Sequence, residues 1–206
     1  MKFRSSAFLV SASLAFLSSA WAQDRMPPIP ADKMSEAQKK AVADVQSGPF
    51  QVTGPLIPLL RDPKLAGEVY ALATYFRSDN PLGTRLTELA ILVVAREWTQ
   101  QFEWNSHYPR AIQAGLKPET VTAIAEGRRP IGLPEDEEIV YDFCTELRQN
   151  KGVSDATYAR ALKKLGEAGV VDLTVLNGYY VTLAMVLNVS RAPVTSPQAP
   201  PLRVLP

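Results

Sequence analysis

Between Thr84 and Arg96 the chain runs through Leu86, Leu89, Ala90, Ile91, Leu92, Val93 and Val94, and the one acid in that stretch is Glu88. The run is too long for a buried strand and holds no turn signal, so it predicts a strongly apolar helix. The segments around it carry helix punctuation. Ser35-Glu36-Ala37-Gln38 is a capping box that opens a helix ending near Ser47-Gly48-Pro49. Gly54 to Pro58 reads as irregular. Asp62-Pro63 offers an N-cap followed by proline in the first turn, and Leu65, Val69, Leu72, Ala73 and Phe76 keep helical spacing to about Arg77. Ser78 to Gly83 is a turn. Glu97 to Ala114 is the next helix, or a bent continuation of the apolar one, with Gly115 at its C-terminal end. Lys117-Pro118-Glu119 opens a short helix to about Glu126. Glu135, Asp136, Glu137 and Glu138 sit where a helix N-terminus favours acids, and that helix runs to about Asn150. Ser154 or Asp155 caps another, stopped near Gly166 or Gly169, and Asp172 to Val189 is the last. No alternating strand pattern and no internal repeat appears. The expectation is an all-α, single-domain protein.

Both ends are proline-rich. Residues 23–34 form an extended arm around Met26-Pro27-Pro28-Ile29-Pro30, and residues 191–206 form a second, with Pro193, Pro197, Pro200, Pro201 and Pro206. The second arm should run over a surface or over a neighbouring subunit. The helical domain is residues 35–190. Ahead of it, residues 1–22 read as an export signal. Lys2 and Arg4 are followed by an apolar stretch from Ala7 to Leu17, and Ala20-Trp21-Ala22 precedes a cleavage point before Gln23. The apolar stretch is shorter than the about 20 residues of a membrane span. The expected protein is therefore exported, periplasmic or secreted, with no membrane span after cleavage. Charge is nearly balanced, 22 Lys and Arg against 21 Asp and Glu, which gives no basic face for nucleic acid. The single cysteine, Cys144, lies among helix-spaced apolar residues and reads as a buried, inert thiol.

The one histidine, His107, follows Glu103 by four residues, so the two share a helical face. Glu103 can then orient the imidazole. Gln100 lies on the same face. Glu88, in its apolar helix, is costly to bury unless paired or protonated. One imidazole and two carboxylates on adjacent helices can make an acid–base site. Spacing alone points first to the commoner arrangement, a surface pair with a capping or rim carboxylate. Trp98, Phe102, Trp104 and Tyr108 suit a pocket wall or ordinary helix packing. A lone histidine with scattered acids is no closed metal-ligand set.

The stretch Arg85 to Arg96, then Phe102-Glu103-Trp104-Asn105-Ser106-His107, then Ala111 to Leu116, resembles the core motif of the carboxymuconolactone decarboxylase and alkyl hydroperoxidase D superfamily. Glu88 and His107 match its glutamate and histidine. Gln100 and Glu103 stand where its peroxidase branch carries a Cys-x-x-Cys pair, and Glu103 matches a glutamate of the decarboxylase branch. The resemblance implies a helical bundle of the alkyl hydroperoxidase D-like type that assembles as a trimer or hexamer. It also implies a cofactor-free decarboxylase, lyase or isomerase acting on a small organic acid or lactone. His107, Glu103 and Glu88 would be its catalytic residues, and Gln100, Arg85, Arg96, Trp98 and Trp104 would line or hold the substrate. A non-catalytic ligand-binding protein of the envelope with the same fold is the alternative. Peroxidase activity is disfavoured by the missing cysteine pair.

Overall fold

The computed structural model describes residues 24–78 and 80–204; residues 1–22, on which the expectation of an export signal falls, lie outside the described residues. Within the described residues the chain is all-helical: α1 Glu36–Gln46, α2 Leu56–Leu59, α3 Pro63–Ser78, α4 Gly83–Glu97, α5 Gln101–Gln113, α6 Pro118–Ala125, α7 Glu135–Asn150 and α8 Asp155–Ser190. α4 is the axis of the bundle. Every residue from Leu86 to Arg96 is buried, and the helix packs against α5, α6, α7 and α8. A helix that is apolar nearly all round has no face to give to water and goes to the centre. Leu89 and Leu92 of α4, Trp104 of α5, Val121 of α6, Phe143 of α7 and Leu173 of α8 form one continuous core with it. α1 and α2 pack on α3 at the edge.

The sequence punctuation acts where the spacing placed it. Ser35 Oγ accepts from Gln38 N at 3.2 Å while Ser35 N donates to Gln38 Oε1 at 2.9 Å, closing the capping box. Asp62 Oδ1 accepts from Leu65 N at 3.1 Å at the start of α3. Gly166 interrupts α8 at φ 70°, ψ 176°, a conformation open only to glycine, so the glycine stop is a kink inside a long helical span.

Three features depart from the sequence reading. Gly54 to Pro58, expected to be irregular, leads into the short helix α2, which Leu59 and Leu60 anchor in the core. α4 and α5 are two helices, not one bent helix. Thr99 takes a left-handed φ of 46° and Gln100 caps α5 through its side chain. In α3 the buried residues are Ala66, Val69 and Phe76, while Leu65 and Leu72 face outward. The C-terminal arm lies along α5 of its own chain. Trp104 Nε1 donates to Pro200 O at 3.0 Å, Asn105 Nδ2 to Ser196 O at 3.0 Å, and Gln101 Nε2 to Leu202 O at 2.8 Å. The N-terminal arm is held by Arg25 N on Ser190 O and by Arg61 on Pro27 O, each at 2.8 Å.

Candidate active site

α4 and α5 run side by side, and this brings three buried ionisable side chains together. Glu88 is 6% exposed, Glu103 4% and His107 5%. His107 Nδ1 lies 2.6 Å from Glu88 Oε2. On its other edge, Nε2 lies 3.5 Å from Glu103 Oε2 and 3.4 Å from the Tyr180 hydroxyl of α8. The Tyr180 ring meets the imidazole edge-on, with centroids 5.2 Å apart. The short Glu88 contact fixes the tautomer: Nδ1 carries a proton and donates it to the carboxylate, which leaves Nε2 as the nitrogen free to exchange a proton. The two longer contacts at Nε2 are of the kind that tighten when a ligand fills the space.

Two cavities meet at this imidazole, and Phe50, Ala73, Arg77, His107 and Tyr180 line both. One, about 140 Å³, reaches Asn80, Thr84, Thr87 and Glu88. The other, about 340 Å³, is bounded by the loop from Pro49 to Thr53, by Phe102, Glu103, Ser106 and Arg110 of α5, and by Tyr179 and Leu183 of α8. The larger one is the size of a small-ligand pocket. Glu103 Oε1 is buried there without a hydrogen-bond partner. Burial pushes the Glu103 carboxyl above its ordinary range, against the opposing pull of His107 and Arg110. Burial also raises the Tyr180 phenol well above its usual value, and the Glu103 charge adds to this. Arg77 sits 4.1 Å from the centre of the Phe50 ring; burial, then the Arg110 charge, lowers its pKa. The cluster is thus a clamped imidazole, a carboxyl that burial makes hold its proton more tightly than usual, and two guanidinium groups at the wall.

The two glutamates exchange the parts that spacing suggested. Glu103 shares a helical face with His107, but it is Glu88, on the neighbouring helix, that makes the short orienting bond. The five residues taken for substrate contacts line neither cavity. Arg85 turns away to pair with Asp136 at 2.7 Å and with Glu137, the acids gathered at the N-terminus of α7. Arg96 is spent on the carbonyls of Ala125 and Arg203 and on Thr99 Oγ1, at 3.1, 2.8 and 2.7 Å. Gln100 caps α5 and donates to Asn188 Oδ1 at 2.8 Å. Trp98 ends α4 as its C-cap. Trp104 follows Glu103 by one residue, about 100° round the helix, and is buried under the C-terminal arm. Sequence reasoning passed over Arg110, although it lies three residues after His107 on the same face. Phe50, Arg77 and Tyr180 reach the site from distant segments, and no local pattern marks them.

Cys144 is buried between α7 and α8, accepts a hydrogen bond from Asn177 Nδ2 at 3.2 Å, and has its thiol pushed up to about 12 by burial. It lines neither cavity. Among the described residues no group of three or more His, Cys, Asp and Glu side chains is set to hold a metal ion.

No protein-family model matches the chain, and no curated protein sequence matches it. Its fold is similar to a crystal structure of a protein of unknown function from Agrobacterium tumefaciens, provisionally named as the antioxidant defence protein AhpD. The TM-score is 0.59 and the identity 18%, over 69% of this chain and 99% of that one. The architecture is therefore that of the alkyl hydroperoxidase D-like fold.

Proposed function

We propose that this protein is a cofactor-free acid–base enzyme of the decarboxylase-like branch of that fold, acting on a small organic acid or lactone in an exported compartment. The observation that carries the reading is the imidazole of His107 held between two buried carboxyl groups at the meeting of two cavities. Burying two acids beside one base is costly, and a binding cup gains nothing from it that a neutral pocket would lack. An enzyme that moves protons needs it.

In this reading Arg77 and Arg110 hold the substrate carboxylate at the wall of the larger cavity. Loss of carbon dioxide leaves the electron pair of the broken C–C bond on the substrate as a dienolate. That carbon takes a proton from His107 Nε2, and the proton is restored from water by way of the Glu103 carboxyl. Glu88 holds Nδ1–H throughout and stabilises the imidazolium whenever it forms. Tyr180 remains a neutral hydrogen-bond partner, because burial keeps its phenol protonated.

A thiol peroxidase, the activity of the peroxidase branch that the sequence motif also resembles, requires a nucleophilic thiolate. Cys144 is sealed from solvent, holds its proton to about pH 12 and lies away from the cavities. A panel of unsaturated lactone acids and β-keto acids, assayed for carbon dioxide release and for deuterium uptake in heavy water, tests the proposal. A hit should lose about 10²–10⁴-fold in kcat on His107→Ala. Turnover indifferent to that substitution would refute it.

A further inference from the structure

The last helix carries a second feature, unconnected with the cavities. Val171, Val175, Gly178, Thr182, Met185 and Val189 of α8 are all exposed, and their spacing alternates four and three. That is the a/d spacing of a coiled-coil seam, here facing outward from the bundle. No charged residue occurs from Leu173 to Ser190. The Thr182 hydroxyl is satisfied within its own helix, donating to Gly178 O at 3.0 Å, so the residue presents its methyl group. A strip about 27 Å long results. Leu65 and Leu72 of α3, the neighbouring helix, are exposed as well, and Leu65 joins Met185 and Val189 in lining one surface groove. Apolar surface this continuous marks an interaction site.

The order of residues says what covers it. The seam is symmetric about residue 180. Laid antiparallel on a second copy, Val171 falls opposite the partner's Val189, Val175 opposite the partner's Met185, and Gly178 opposite the partner's Thr182. Large residues meet at both ends and the smallest pair meets at the centre, where two helices crossing at an angle come closest. A seam that matches itself when reversed is what a two-fold, isologous contact requires. The six seam residues carry no charge that could repel their own copy, and the charged residues beside them in the groove with Met185 and Val189 are one of each sign, Arg61 and Asp62. We infer that α8 is the dimerisation helix of this protein, pairing antiparallel with α8 of a second copy across a two-fold axis near residue 180. The C-terminal arm lies against α5 of its own chain, and the N-terminal arm borders the end of the seam, where Met26 lines the groove with Val189 and Arg25 N donates to Ser190 O.

The same stretch is apolar enough to cross a bilayer, with a mean hydropathy of 1.6. Its other face, however, packs into the bundle and carries buried Asp172 and Asn177.

Gly178 makes a clean test. A Cβ added there meets nothing within 4 Å in the chain itself, and its φ is an ordinary helical one. Gly178→Leu should therefore leave the helical bundle intact while blocking the crossing point. Light scattering at micromolar concentration should give an even multiple of the chain mass for the unaltered protein and the monomer mass for Gly178→Leu, with equal far-ultraviolet circular dichroism. Mild oxidation should link the double variant Val171→Cys, Val189→Cys into a dimer and leave Val171→Cys alone unlinked. A monomeric or trimeric unaltered protein would overturn the inference. So would an unchanged mass in Gly178→Leu, cross-linking of Val171→Cys to itself, or binding of the unaltered protein as a monomer to phosphatidylcholine vesicles.

Discussion

Replacing Glu103 by glutamine should make the protein more stable at neutral pH while making it a poorer catalyst. Glu103 is buried, its Oε1 meets no donor, and burial holds its carboxyl above the ordinary range in the folded state. In the unfolded chain a glutamate titrates near its ordinary value of about 4.3. Below that pH both states hold the proton and the residue carries no penalty. As pH rises through that value towards the folded one, the unfolded chain gives up its proton first. The folded state then binds more protons than the unfolded state, and stability falls with pH. Above the folded value the whole penalty remains. Glutamine has the same shape and does not titrate, so it removes this dependence. Substitutions that relieve a strained functional position yield roughly 1 kcal/mol, or about 2–4 °C in Tm for a domain of this size. Thermal melts of both proteins from pH 4 to pH 8 give the assay. The gain in Glu103→Gln should be absent at the acid end and should grow towards neutrality. A variant less stable than its parent at neutral pH would show that the Glu103–His107 contact is net favourable, and a difference flat across pH would show that the carboxyl does not titrate as argued.

Other consequences are independent of this one. Arg85→Ala should lower stability by about 2 kcal/mol without altering the KM of any substrate found. It strands the buried Glu137, and the loss falls below the about 3–5 kcal/mol of a fully buried pair because Arg85 is 31% exposed; a raised KM at constant Tm would return Arg85 to the substrate. Cys144 should not react with a disulfide reagent in the folded state, and dithiol-driven reduction of an alkyl hydroperoxide should be undetectable. Peroxide turnover lost in Cys144→Ser would contradict the placement of the thiol. Mass spectrometry of the protein recovered from a cell envelope should find Gln23 as its first residue, and a chain still beginning at Met1 would remove the argument for export.

What the sequence could and could not disclose follows from the range of the interactions. The capping box at Ser35, the N-cap at Asp62 and the stop at Gly166 are local, and each acts within one turn of where its residues stand. α4 was legible because a helix apolar on all sides has only one place to go. α3 was not, because Leu65 and Leu72 continue its apolar spacing but face outward, and only the neighbours that a helix meets decide which stripe is covered. The shared face of Glu103 and His107 is a matter of helical period. Which glutamate holds the imidazole is not, because it depends on how two helices pack, and the motif resemblance could pair the residues without ordering them. Arg85, Arg96 and Trp104 were assigned by proximity in sequence. Long side chains follow the nearest opposite charge or free carbonyl, and these lay on α7, on α6 and on the C-terminal arm.

The central claim is that Glu88 fixes the proton on Nδ1 of His107 and leaves Nε2 to do the chemistry. His107 is the only histidine in the chain, so its two ring nitrogens can be observed by nitrogen-15 magnetic resonance without assignment. The account predicts a proton on Nδ1, shifted far downfield by the 2.6 Å bond to Glu88. In Glu88→Gln that downfield proton should vanish while the fold persists. A ring with its proton mainly on Nε2, or an Nδ1 signal indifferent to Glu88→Gln, would contradict the account.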